Sequence, residues 1–200
     1  MSDLAVSPTY FDIHQDLYRA HWERAVTYEV HVSGGKETQI ARWRTHEAAV
    51  TLDAGQRERL AGFTRRMRLL CLSGVWCGDC ARIGPILEAI VRAAPILAVR
   101  FLDRDANPEL RDLLRIAGAA RVPNTLILSE DFFLVDRLGD RMLATYRRMA
   151  AEKLGPACPI GIGAPAADEL KAITDELLDD LERAQLALRL SPMLRERYGD

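Results

Sequence analysis

Lysine is nearly missing from this 200-residue chain: of its 27 basic residues, 24 are Arg and three are Lys. The bias carries no functional inference, but the charge sum does. Set against 29 acidic residues it leaves a net charge of −2, and no excess of positive charge for a nucleic-acid-binding surface. Long apolar runs are also absent. None approaches the roughly 18–20 residues that a transmembrane helix needs, so no membrane partner is expected. The opening MSDLAVSPTYFDIHQD has neither a basic n-region nor an apolar h-region, so it does not read as a secretory signal. The cytoplasm is the expected compartment. Cysteine is scarce, at four in 200 or 2%, which excludes a disulfide scaffold. In a reducing compartment a close Cys pair points to catalysis or metal binding rather than to a structural bridge.

What remains is ordinary globular material, 48% apolar and 28% charged, long enough to bury a core without disulfides or metals. Residues 8–26 carry Phe11, Tyr18, Trp22 and Val26 at helical spacing. Over 26–32, Val26, Tyr28, Val30 and Val32 alternate with polar residues as a strand would; a short helical turn fits the same stretch. Ser33-Gly34-Gly35 breaks whatever precedes it. A helix is expected over 36–50. Asp53 with Gln56 reads as a capping box opening another, to about Thr64. Met67 to Ser73 is a compact apolar run, consistent with a buried strand. A helix through Ile83, Ile86, Leu87, Ile90 and Val91 follows, with Pro85 inside it. A second strand is expected over Ile96 to Leu102 and a short helix over Pro108 to Ile116. A hairpin is expected from Thr125–Leu128 and Phe132–Leu138, then a helix over Arg141 to Leu154. Residues 155–167 read as a Gly/Pro/Ala linker. Beyond it Leu170, Ile173, Leu177, Leu181, Ala184 and Leu188 form the stripe of one long amphipathic helix, interrupted at Ser191-Pro192.

Chemistry concentrates at Trp76-Cys77-Gly78-Asp79-Cys80, between the first buried strand and its helix. A thiol at the first turn of a helix meets unpaired N–H groups and the positive end of the dipole, so it ionises below the usual ~8.5. Two thiols at this spacing can close a small disulfide. In an alternating β/α context the pair reads as a redox motif.

From Leu69 to about Leu154 the chain resembles the thioredoxin family. Trp76-Cys77-Gly78-x-Cys80 matches the active-site motif and Pro85 the kink proline of its helix. Asp105-Ala106-Asn107-Pro108 matches a common turn, Val122-Pro123 the cis-proline position facing the site, and Gly139 the glycine before the last helix. The resemblance implies an α/β thioredoxin-like fold: a central mixed β-sheet flanked by helices, with additional N- and C-terminal helices. The expected organisation is a single domain over 1–200. Within it, 65–154 is the thioredoxin-like core, 1–64 a mostly helical extension, and 155–200 a linker plus C-terminal helix. The apolar stripes of both extensions need a surface to cover, and they are expected to pack on the core.

The resemblance also implies the roles. Cys77 would be the nucleophile and Cys80 the resolving thiol, with Trp76, Gly78, Asp79, Val122 and Pro123 meeting the substrate. Trp76 would shield the pair, and Pro123 would leave neighbouring backbone free to pair with an extended substrate strand. Protein disulfides or small thiols would be the substrates, and a reductase or a small thiol the electron donor. No cofactor and no metal are expected.

The chain departs from the family at three positions. A buried Asp six residues before the first Cys is replaced by Cys71, and a Lys on the third strand by Phe101. Losing both together avoids one unpaired buried charge. Between the cysteines, Gly78-Asp79 stands where Gly-Pro is usual. The added carboxylate opposes a Cys77 thiolate unless it is paired, Arg82 being the neighbour one turn on.

Blander readings stay open for several residues. Cys71 reads as a small core residue, and Cys158 as incidental or as a third redox thiol. A Cys₄ metal site from Cys71, Cys77, Cys80 and Cys158 is disfavoured because only one Cys-x-x-Cys exists. The four histidines read as surface or core residues, and Arg65-Arg66-Met67-Arg68 as a solvated strand entry. The rival to an oxidoreductase is a non-enzymatic module in which Cys77–Cys80 oxidation controls partner binding.

Overall fold

The computed structural model describes residues 10–154 and 166–199. Most of the linker reading, with Cys158, and the start of the first expected helix lie outside them. Four helices come first: α1 (Gln15–Arg24), α2 (Tyr28–Ser33), α3 (Glu37–Ala49) and α4 (Ala54–Ala61). The core then runs β1 (Met67–Ser73), α5 (Gly78–Ala93), β2 (Leu97–Asp103), α6 (Pro108–Leu113), β3 (Asn124–Leu128), β4 (Leu134–Leu138) and α7 (Leu143–Leu154). Two helices close the chain, α8 (Glu169–Leu190) and α9 (Pro192–Tyr198).

The strands form one mixed sheet in the order β2-β1-β3-β4. β1 runs parallel to β2 and antiparallel to β3, and β3 is antiparallel to β4. β1 and β3 are the inner strands, covered on both faces, which is why they read as near-continuous apolar runs rather than alternating ones. Cys71 pairs in register with Phe101 on one side and Thr125 on the other. The two departures from the family pattern are therefore direct neighbours.

Several expectations need correction. The first helix begins only at Gln15, because the Asp12 carboxylate accepts the His14 N–H at 2.8 Å in a turn just before it. Phe11, expected on the buried stripe, is 75% exposed. The ambiguous stretch is a helix: Thr27 caps it, and Tyr28, His31 and Val32 go inward while Val30 stays out. The alternation that suggested a strand is satisfied by a single residue, Val26, which exchanges both backbone hydrogen bonds with Phe101 at 2.9 and 2.8 Å. Arg65 is buried rather than solvated, since Glu130 receives its guanidinium at 3.0 Å. The Asp53–Gln56 capping box forms in both directions at 2.9 Å.

The extensions share one buried cluster with the sheet. From the N-terminal side it includes Tyr18, Trp22, Tyr28, Val32 and Trp43, and from α8 it includes Ile173, Leu177, Leu178, Leu181 and Leu188. Gln185 of α8 is buried yet satisfied. Its carbonyl accepts the N–H groups of Thr64 and Arg65, and its amide donates to the Arg65 carbonyl at 2.6 Å. α8 also ties down α4 through Arg59 to Asp179 and Glu182. Among the described residues no helix is long and apolar enough to cross a membrane.

Leu177 has no exposed surface, whereas Leu190, thirteen positions on in the same helix, is 73% exposed. Leu177→Ala is expected to lower unfolding stability by about 2–5 kcal/mol, and Leu190→Ala by no more than about 0.5 kcal/mol. Urea denaturation of both variants measures the contrast. Equal, small losses would show that α8 is not packed into the core.

Candidate functional site

β1 ends at Ser73, and the four residues Gly74 to Cys77 carry the chain from the sheet to α5. Cys77 closes this turn by donating its N–H to the Gly74 carbonyl at 2.9 Å. It then serves as the N-cap of α5, where its sulfur accepts the Cys80 N–H at 3.4 Å. A thiolate satisfies that donor better than a thiol does, and the helix dipole adds to the preference. Cys77 is half-buried; Cys80, one turn inside, is only 1% exposed.

The two thiols are driven apart. A hydrogen bond from the Cys80 side chain, then the backbone N–H groups of Cys80 and Asp79, bring Cys77 down to about 7 despite partial burial. Burial, and then the hydrogen bond to Cys77, push Cys80 up. Cys71, fully enclosed, is pushed by burial up to about 12. Geometry and charge thus give one accessible thiol that ionises near neutrality, with a protonated thiol behind it.

The Val122–Pro123 peptide is cis. The Val122 carbonyl accepts a hydrogen bond from the Cys77 thiol at 3.4 Å. Val122 and Pro123 are both buried under this edge. Trp76 is 42% exposed, its ring covered by the Arg104 guanidinium at 4.5 Å. Gly78 lies exposed at the helix start. Asp79 does not pair with Arg82, which goes to Glu169 at 3.0 Å. Its partner is Arg141, at 2.6 Å, just before α7. Arg141 is anchored in turn by the buried Asp140, which also accepts the Tyr146 hydroxyl at 2.7 Å. The carboxylate that would oppose the thiolate is thereby largely neutralised.

Three contacts from the N-terminal helices hold the turn, and sequence reading missed all of them. Trp43 donates its indole N–H to the Val75 carbonyl at 2.9 Å, two residues before Cys77. Its ring lies so close to Gly84 of α5 that a methyl group there would overlap it. Gly35 is pressed against Val75 in the same way. His31 places its Nε2 at 3.1 Å from the Ser73 hydroxyl. The only sequence signals were Gly84, a glycine inside a helix, and a Trp in the helix expected over 36–50.

Comparison with known proteins bears on family and fold. The family model described as Thioredoxin matches residues 25–151. A thioredoxin of Chlamydia muridarum is 37% identical over 62 residues, 31% of this chain and 57% of that protein. A putative thioredoxin 2 of Streptomyces coelicolor is 34% identical over 55 residues, 28% of this chain and 39% of that one. The chain therefore spans 57% and 39% of the lengths of these curated relatives. Among solved structures, a protein of unknown function from Pseudomonas aeruginosa superposes with a TM-score of 0.64 at 24% identity, covering 84% of this chain and 98% of its own. An HIV epitope scaffold does so at 0.66 and 20% identity, covering 85% and 98%. These last two bear on the fold alone. The chain belongs to the thioredoxin family, and its fold is thioredoxin-like with added helices at both ends.

In the reduced protein the alkylation rate of Cys77 should rise with pH through a midpoint near 7, with Cys80 unmodified. Arg141→Met strips the Asp79 carboxylate of its counter-charge, which raises the Cys77 pKa and lowers its thiolate fraction. Alkylation at pH 6.5 should slow by about two- to fivefold, a small effect because the pair is partly solvated. Iodoacetamide kinetics with peptide mapping measure both. Labelling of Cys80 first would reverse the assignment.

Proposed function

We propose that the protein is a thiol–disulfide oxidoreductase that reduces disulfides of protein or small-thiol partners. The observation that carries the reading is the asymmetric pair itself: Cys77 at a helix N-cap and brought down to about 7, with Cys80 protonated and buried one turn behind. The Cys77 thiolate attacks one sulfur of the substrate disulfide and expels the other as a thiolate, which takes a proton. The product is a mixed disulfide. Cys80 then loses its proton and attacks the Cys77 sulfur, forming Cys77–Cys80 and releasing the second substrate thiolate. The substrate gains two electrons and the protein loses them. A reductase or a small thiol returns them in a cytoplasmic setting.

Trp76, Gly78, Asp79, Val122 and Pro123 form the rim that meets the substrate in this reading. The half-buried Cys77 sulfur touches the Val122 carbonyl, so an extended segment lying along residues 122–123 has its disulfide within reach of the nucleophile. Arg141, holding Asp79, borders the same rim.

With dithiothreitol as donor, the protein should accelerate reduction of insulin disulfides. Cys77→Ser should lower that rate by more than about 100-fold. Cys80→Ser should accumulate protein partners bound through Cys77, released by excess dithiothreitol. Wild-type catalysis undiminished in Cys77→Ser would sink the proposal.

A further inference from the structure

Among the described residues, the cations around Cys77 are paired with one exception. Arg141 holds Asp79 at 2.6 Å, and Arg82 goes to Glu169 at 3.0 Å. Arg104, over the Trp76 ring, grips both oxygens of Asp105 at 2.9 and 3.1 Å. Arg42 of α3 is exposed, and no carboxylate among the described residues pairs with it. Its Nη1 lies 4.0 Å from where a Cβ on Gly78 would stand. Gly78 follows Cys77 directly. A side chain at 78 would occupy the ground between helix start and guanidinium; glycine leaves it open.

The neighbouring residue fixes where Arg42 stands. Trp43 donates to the Val75 carbonyl at 2.9 Å and fills the notch at Gly84, so α3 is held against α5 at this point. Residues three and four positions from Arg42 on the helix are Thr38, Gln39, Thr45 and His46, none of them acidic. Glu47, the nearest acid on α3, is taken by Arg44 and Arg92. His46 feels the same cation. Burial first, then Arg82 and Arg42, hold its imidazole below the usual value, so it is neutral at pH 7 and adds no charge of its own.

We propose that Arg42 selects disulfides that carry a carboxylate beside the bridge, an inference that rests on the oxidoreductase reading above. The guanidinium pairs with that carboxylate while the Cys77 thiolate attacks the nearer sulfur. A bond forms between Cys77 and the substrate, the substrate S–S bond breaks, and its electron pair leaves on the distal sulfur as a thiolate. Arg42 takes no proton and forms no covalent bond; it sets which substrate is held there. Without it, an anionic substrate meets only paired cations and the like charge of the Cys77 thiolate.

Three small disulfides of graded charge test this: 3,3′-dithiodipropionate, a dianion; 2-hydroxyethyl disulfide, neutral; and thiocholine disulfide, a dication. Each is mixed with the reduced full chain in a Cys158→Ser background, and formation of Cys77–Cys80 is followed by acid quench and mass spectrometry. At about pH 8.5 Cys77 is ionised in every variant, so a change in its acidity cannot mimic selection. Arg42→Met should slow the dianion by about three- to tenfold, leave the neutral disulfide unchanged and speed the dication. Arg42→Lys should restore most of the difference, and about 0.5 M salt should erase it. Arg66→Met removes the same charge just before β1, at the end of the strand away from the site, and should move none of the three rates. Oxidised glutathione and the disulfide of a cysteine peptide flanked by glutamates tell the source: sensitivity to Arg42 with the first assigns a small disulfide, with the second a protein segment. Arg42→Met rates that change equally for all three charges, or not at all, would overturn the selection and leave the oxidoreductase reading standing. If no disulfide oxidises the pair, that reading falls and the selection with it.

Discussion

A sulfur at the N-cap of a buried helix is the constraint on which the rest of the site depends. Once Cys77 accepts the Cys80 N–H, helical geometry puts the second thiol one turn deeper, under β1 and away from water. The same placement lowers one thiol and raises the other, since the charged form is welcome at the helix terminus and costly in the core. It also requires the turn from Ser73 to Cys77 to be held rigidly. A shift of an ångström would separate the Cys77 sulfur from both its N–H donor and the Val122 carbonyl.

The N-terminal extension supplies that rigidity. Trp43 fixes the Val75 carbonyl and packs into the notch left by Gly84, Gly35 abuts Val75, and His31 meets Ser73. Ring contacts knit Tyr28, His31 and Trp43 around Phe101, which sits beside Cys71 in the sheet. Where the family pattern would place a buried acid and lysine, this protein has an apolar and aromatic interior reaching into the extension. The added helices are thus part of how the thiol pair is built. From the C-terminal extension, α8 joins α4, β4 and α7 through its apolar stripe and through Gln185, so both extensions share one buried cluster with the sheet.

Much of this was legible in the residues. Cys77, Cys80, Pro85 and Val122-Pro123 stand at fixed spacing along one continuous β/α stretch, and backbone chemistry dictates each of them. The strands β1 and β3 announce themselves as apolar runs, and the Asp53–Gln56 box as a helix start. The partnerships were not legible, because they join residues far apart in sequence. Asp79 finds Arg141 rather than the adjacent-turn Arg82, because the turn before α7 comes back over the helix start. Arg65 looked like a surface charge because Glu130, which neutralises it, lies across the sheet. His31 looked inert because its significance depends on Ser73, 42 positions away. Val26 misled in the other direction: one bridging residue produced the alternation expected of a whole strand.

The central claim is that Cys77 and Cys80 work as one two-electron pair. It is tested most directly by equilibrating the protein across a series of reduced-to-oxidised glutathione ratios, quenching with acid, and reading the thiol state by mass spectrometry with peptide mapping. The account predicts a single reversible transition from two free thiols to a Cys77–Cys80 disulfide, with glutathione adducts as minor species. Stable glutathione adducts on Cys77 with Cys80 still reduced, or oxidation that never links the two, would contradict it.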